Sequence, residues 1–138
     1  MVIEETVLPL IISAFLGALI GWNREHLHMP AGLRTHMLVA IGSTLITITS
    51  VRYFPDDPSK IAANIVVGIG FLGAGTIFRE KDHIRGLTTA ASLWAISGIG
   101  IAVGVGYYLG AFVAAGLMLL ILQLNVIEDN KAKKDRKR

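Results

Sequence analysis

Two short stretches hold residue types from which an anion site or a polar joint is built: Gly32-Leu33-Arg34-Thr35-His36 and Gly86-Leu87-Thr88-Thr89. Each follows an arginine–glutamate pair, Arg24-Glu25 and Arg79-Glu80. A glycine and a hydroxyl residue ahead of an apolar run mark a helix start. There a hydroxyl can accept from free backbone N–H groups, and the positive helix end attracts anions. Two such ends beside Arg34 and Arg85 have the chemistry to hold a phosphate or carboxylate. The plainer reading takes precedence: glycine and threonine cap the helices, while the charged residues pair across the two stretches, Arg79 with Glu25 or Arg24 with Glu80.

Other candidate chemistry is thin. His26, His28, His36 and His83 cluster near the same stretches, but residues two apart do not align on a helix, so we expect no metal site. There is no Ser-His-Asp set and no HExxH motif, hence no catalytic residue, no cofactor and no enzyme reading. Gly68-x-Gly70-x-x-Gly73-x-Gly75 spells a dinucleotide fingerprint, yet no βαβ unit surrounds it. Together with Gly17 and Gly21, Gly100 and Gly104, and Gly106 and Gly110, these glycines are expected to let helices approach closely. A hinge is the alternative use.

The elements that position these residues follow from charge. Of 23 Asp, Glu, Lys and Arg residues, nine fall in residues 128–138. The chain has no cysteine, which excludes a disulfide framework. Residues 87–127 carry no formal charge over 41 positions, roughly 60 Å of helix and about twice a bilayer core, so this stretch must fold back. The break is expected in the run Gly98, Gly100, Gly104, Gly106, ahead of Tyr107 and Tyr108. Further uncharged runs cover residues 6–23, 35–51 and 61–78. The expected fold is an all-α membrane protein of five transmembrane helices, a unit over residues 1–127 with a basic tail over residues 128–138. Glu4 and Glu5 stand where a signal peptide would be positive, so the first span is expected to stay.

Basic residues orient the chain. With the tail cytoplasmic, Arg24, Arg34, Arg79, Lys81, Arg85 and six tail residues lie inside, against Arg52 and Lys60 outside: eleven to two. The N-terminus is then outside and the C-terminus cytoplasmic. Trp22 falls at the inner interface, and Tyr53, Phe54, Tyr107 and Tyr108 at the outer one. The tail can rest on anionic lipid heads, though its plainer role is the topology signal; nucleic acid is not an expected partner.

The chain is also duplicated. Phe15-Leu16-Gly17-Ala18 recurs as Phe71-Leu72-Gly73-Ala74, Arg24-Glu25 as Arg79-Glu80, and Gly32-Leu33-Arg34-Thr35 as Gly86-Leu87-Thr88-Thr89, at offsets of 56, 55 and 54. Helices one and two form one hairpin, helices three and four its copy, and the fifth lies outside the repeat. Each unit has two spans, so the copies are parallel, related by an axis along the membrane normal. Both charged elbows then face the cytoplasm.

No Asp, Glu, Lys, Arg or His sits deep in a span; the deepest polar groups are Asn64, Thr76, Thr88, Thr89, Ser92, Ser97, Gln123 and Asn125. A hard cation prefers carboxylates, and the acids all lie at the faces.

The ordered blocks Gly17-Ala18-x-x-Gly21, Arg24-Glu25, Gly32-Leu33-Arg34-Thr35-His36-x-Leu38-Val39, Gly68 to Gly75 and Gly86-Leu87-Thr88-Thr89-Ala90-Ala91-x-Leu93-Trp94 closely resemble the MgtC/SapB family of bacterial inner-membrane proteins. The resemblance runs from about Gly17 to Gly110. It implies an inner-membrane location, a link to growth at low magnesium and to virulence, and action on a membrane partner such as the F-type ATP synthase. It singles out Arg24, Glu25, Gly32, Arg34, Thr35, His36, Gly70, Gly73, Gly75, Arg79, Gly86, Thr88, Thr89 and Trp94, to which the motif reading adds Glu80 and Arg85. Many members carry a soluble C-terminal domain after the fifth span. Here the expectation is that the membrane core acts alone or that a longer chain has been shortened. Two functions stay open: a modulator that docks on another membrane complex, and on itself as a homodimer, or a transporter or channel for Mg²⁺ or another small solute. The first is preferred.

Overall fold

The computed structural model describes residues 2–80 and 83–135, with side chains described over residues 4–79 and 84–124. Five helices follow one another: α1 Val2–His26, α2 Leu33–Tyr53, α3 Pro58–Ala74, α4 Leu87–Gly104 and α5 Tyr108–Asp135. The ends of α1 suit its dipole, with Glu4 and Glu5 in its first turn and Arg24 and His26 in its last. Pro58 opens α3, where its missing N–H costs nothing.

Between α3 and α4 the chain makes a small antiparallel hairpin, β1 Phe78–Glu80 and β2 His83–Arg85, with Phe78 opposite Arg85 and Arg79 opposite Ile84. This adds a short strand pair to the helices of the expected all-α fold. Gly86 then turns into α4 at φ 90°, a left-handed conformation that suits glycine, and a Cβ there would collide with the Thr76 carbonyl oxygen. The fold-back before α5 falls at the end of the expected glycine run. Gly98 and Gly100 lie within α4, and the turn comes at Val105 to Tyr107, with Gly106 at φ 81°.

Helix α4 is the hub, touching α2, α3 and α5. Ala111, Ala115, Met118 and Leu122 recur at helical spacing on α5 and pack on Ile96, Ile99 and Val103 of α4 and on Leu16 and Ile20 of α1. Outward, the bundle is greasy: Phe71 is 86% exposed, Val67 75%, Leu109 73% and Leu38 70%. Such a surface suits lipid rather than water.

Two helices are long and apolar enough to cross a membrane by themselves, α1 over Glu4–His26 and α4 over Leu87–Gly104. The apolar segments Pro58–Ala74 and Tyr108–Leu124 are shorter. Helix α2 has 21 residues, but its hydropathy is diluted by His36, Ser43, Thr44, Thr47 and Ser50, all buried.

The duplication has a counterpart in space. A Cβ on Gly17 would lie 2.8 Å from the His36 carbonyl oxygen, and one on Gly73 would lie 3.5 Å from the Ala90 Cβ. Gly73 and Ala90 are the repeat partners of Gly17 and His36. Further along, a Cβ on Gly21 would lie 2.6 Å from the Leu33 Cα. The copies diverge beyond this point, since α1 continues to His26 whereas α3 stops at Ala74 and gives way to the hairpin.

Candidate functional site: a polar seam and the cavity beneath it

The two repeats meet along α2 and α4. His36 Nε2 lies 3.0 Å from Ser92 Oγ, and Thr44 Oγ1 donates to the Gly100 carbonyl at 2.8 Å. Both pairs are 56 residues apart, and a constant offset at two levels means that α2 and α4 run parallel. Each therefore packs on nearly its own repeat partner, which puts the axis of the duplication between them. Glycines make the approach possible. A Cβ on Gly100 would come within 2.7 Å of the Ala40 carbonyl oxygen, and one on Gly104 within 2.6 Å of the Thr47 Cβ.

Between the apolar contacts of Ala40 with Ile96, Ile99 and Val103, the polar side chains along these two helices are hydrogen-bonded. His36 is fully buried; its Nδ1 lies 2.9 Å from the Gly32 carbonyl oxygen, so the imidazole bridges the start of its own helix and the neighbouring repeat. Ser92 Oγ also donates to the Thr89 carbonyl at 2.7 Å, and Thr47 Oγ1 to the Ser43 carbonyl at 2.8 Å. Buried polar groups without such partners would be costly in hydrocarbon.

At the elbow end the seam continues into Arg24. Its side chain is 1% exposed, and Nη2 donates to Thr89 Oγ1 at 3.2 Å. This links the two elbows by a cation on a hydroxyl across the repeat. Glu25 turns the other way. Its Oε2 accepts from the Leu33 backbone N–H at 2.7 Å, and Gly32, lacking a side chain, leaves it room. The carboxylate thus caps α2, the role expected of a threonine hydroxyl. The N-cap positions are Gly32 and Gly86, and neither helix start has a hydroxyl cap. The side chain of Glu80 lies outside the described residues, and the Arg24–Glu80 pairing with it; Lys81, Asp82, the His83 side chain and the tail beyond residue 124 are likewise outside them.

A cavity of about 530 Å³ separates the elbows, lined by Arg24, His28, Met29 and Pro30 from the first and by Phe78, Ile84, Arg85 and the start of α4 from the second. One cavity touching both elbows places them at the same end of the bundle. Thr88 is exposed at its wall, and Arg85 is exposed at its rim.

The other residues singled out from sequence lie elsewhere. Arg34 is exposed and does not line the cavity, Thr35 is half-buried, and Arg79 is exposed on β1. Trp94 is 57% exposed on the outside of α4. Among the glycines, Gly17, Gly21 and Gly73 face a neighbouring helix, Gly75 meets its own helix end, and a Cβ on Gly68 or Gly70 would meet nothing within 4 Å. The packing use of those last two is not made within the chain.

Sequence reasoning missed that Arg24 and His36 enter the interior, and missed the stripe His36, Ala40, Ser43, Thr44, Thr47 as a buried face. The signal was present: these residues recur at i, i+4, i+7, i+8 and i+11, and Arg24 follows Gly17 and Gly21 at i+7 and i+3 on one face of the first helix.

At the opposite end, Arg52 pairs with Glu5 and also donates to Thr6 Oγ1 at 3.2 Å, tying the start of α1 to the end of α2.

Comparison with known proteins agrees with the resemblance. A family model described as MgtC family matches residues 10–129. The chain is 46% identical over 121 residues to protein MgtC of Salmonella typhimurium strain LT2, covering 88% of this chain and 51% of that protein. It is 40% identical over 129 residues to the putative magnesium transporter YhiD of Escherichia coli strain K12, covering 87% of this chain and 60% of the relative. Protein MgtC of Brucella abortus strain 2308 is 45% identical over 107 residues, covering 77% and 45%. The chain thus spans about half the length of the curated relatives it matches. No solved structure matches it.

Proposed function

The chain belongs to the MgtC family, and from that membership and the closed seam we propose that it is a multi-pass inner-membrane protein of magnesium homeostasis that acts by docking on another membrane complex. In this reading all five helices cross the bilayer, with the N-terminus outside and the elbows and C-terminus cytoplasmic. Of the polar residues that dilute the hydropathy of α2, His36, Ser43, Thr44 and Thr47 meet α4 and Ser50 donates to the Pro58 carbonyl of α3, and tilting or thinning accommodates the shorter apolar segments.

The observation that carries the docking reading is the state of the repeat axis. A route for Mg²⁺ along it would need oxygen ligands left free for the ion. The seam instead spends its hydroxyls and carbonyls on each other, and Gly100 and Gly104 bring the two backbones together. Among the described residues no group of three or more His, Asp or Glu converges. What the bundle offers is its outside: glycines open at Gly68 and Gly70, beside an apolar groove of about 450 Å³ between α2 and α3. Small residues on a lipid-facing helix admit another helix closely. A second copy and the F-type ATP synthase, the complex implied by the family resemblance, are the partners of this reading.

Transport of Mg²⁺ or another small solute is the second reading. The parallel duplication favours it, since repeats frame transport paths, and so does the name carried by the Escherichia coli relative. Purified protein in liposomes, assayed for Mg²⁺ flux, separates the two. Docking predicts no saturable flux and co-purification of a membrane complex from native membranes. Saturable flux abolished by Thr88→Ala with Thr89→Ala would overturn it.

A further inference from the structure

Arg24 is more buried than its role in the seam requires. One nitrogen, Nη2, meets Thr89, while Nε and Nη1 are buried without a hydrogen-bond partner. An arginine keeps its charge, and a buried guanidinium lacking an anion costs several kcal/mol. The neighbouring acid does not supply one, because the Glu25 carboxylate is turned to the Leu33 N–H. The 530 Å³ cavity that Arg24 lines therefore has a buried guanidinium with unmet donors at its floor. Arg85 and His28 stand on its wall, and α4 begins there. Its first-turn N–H groups, at Leu87, Thr88 and Thr89, have no capping side chain from Gly86. The cavity falls within the usual range of ligand clefts, roughly 300 to 1,000 Å³.

We propose that the cavity between the two elbows is an oxyanion site of the phosphate class, with Arg24 at its floor, Arg85 at its rim and the start of α4 at its wall. A phosphate oxygen against the guanidinium satisfies donors the protein leaves unmet, and a second oxygen takes the N–H groups of α4 as helix N-termini do elsewhere. Because the site closes over Arg24, occupancy holds the two repeats together at the elbow end. The phosphate can come from a lipid headgroup at the inner leaflet or from a soluble phosphate. The site stands independently of the docking reading and of transport.

The test uses the full chain, delipidated in a maltoside detergent, with unfolding temperature followed at constant ionic strength. One arm titrates inorganic phosphate against chloride. The other titrates phosphatidylglycerol against diacylglycerol, which has the same tails without the phosphate. Saturable stabilisation in either arm supports the site and identifies the source. Arg24→Gln is expected to weaken apparent affinity by roughly 10- to 100-fold, the worth of a charged hydrogen-bonded group. Arg85→Gln, at an exposed rim position, is expected to weaken it by about 3-fold. If neither arm saturates, or if Arg85→Gln and a folded Arg24→Lys both bind as the parent does, the proposal is overturned.

Discussion

Thr89 occupies a position where one hydroxyl serves two repeats. Its Oγ1 accepts from Arg24 while its carbonyl accepts from Ser92, which in turn meets His36. Truncating it removes the single hydrogen bond that Arg24 makes across the elbows and leaves all three guanidinium nitrogens unmet. Interhelical hydrogen bonds in membranes are worth about 0.6 kcal/mol on average and up to about 2. The charge on Arg24 puts this one toward the upper end. Thr89→Ala should therefore lower stability by about 1–2 kcal/mol in detergent unfolding, with Thr89→Ser retaining most of it. Combining Thr89→Ala with Arg24→Met should cost less than the sum of the two, since the orphaned charge is then gone. Additive losses would show that the two side chains do not act as a pair.

Glycines of one spelling do different work on different helices, and this decides how far a motif can be read. In the first hairpin Gly17 and Gly21 hold α1 against the backbone of α2, with a Cβ at 2.8 Å and 2.6 Å from its atoms. Their counterparts on α3 are looser at Gly73, and Gly68 and Gly70 face open space. Gly21→Val should thus force α1 and α2 apart at about 1–3 kcal/mol, the usual cost of overpacking. Gly68→Ala and Gly70→Ala should leave the monomer as stable or slightly more so, because alanine is the better helix former by about 0.5–1 kcal/mol. If α3 is the docking face, those same alanines should weaken self-association measured by resonance energy transfer in vesicles. Unfolding by Gly68→Ala would show that α3 packs more tightly inside the chain than its open surroundings indicate. The five helices themselves were legible because uncharged runs and turn residues report on local structure. The hairpin at Phe78 to Arg85 was not, since a pair of three-residue strands is too short to show a periodicity.

The duplication was legible in the whole molecule because each copy kept the residues its packing needs: Gly17 and Gly73 at the helix contact, Gly32 and Gly86 at the second helix start. What had drifted was the chemistry on top. Glu25 became a cap, Arg24 went inward, and His36 found Ser92, while its own counterpart, Ala90, has no polar group at all. A repeat aligns backbones, and side chains then specialise across the axis, so the site could be placed at the elbows from sequence but not wired. The parallel arrangement has a direct consequence for accessibility. The elbow residues His28 and Ile84 line one cavity, whereas Pro55 lies with Tyr53 and Asp57 at the other end of α2. With no native cysteine, His28→Cys, Ile84→Cys and Pro55→Cys can each be labelled alone in intact cells. With the elbows cytoplasmic, as proposed, the first two should resist an impermeant maleimide until the membrane is opened, and Pro55→Cys should react at once. In the double variant His28→Cys with Ile84→Cys, a short bis-maleimide should join the two positions within one chain, because both face the same cavity. Labelling of His28→Cys and Ile84→Cys from opposite sides would break the parallel repeat, and with it the shared cavity on which the phosphate site depends.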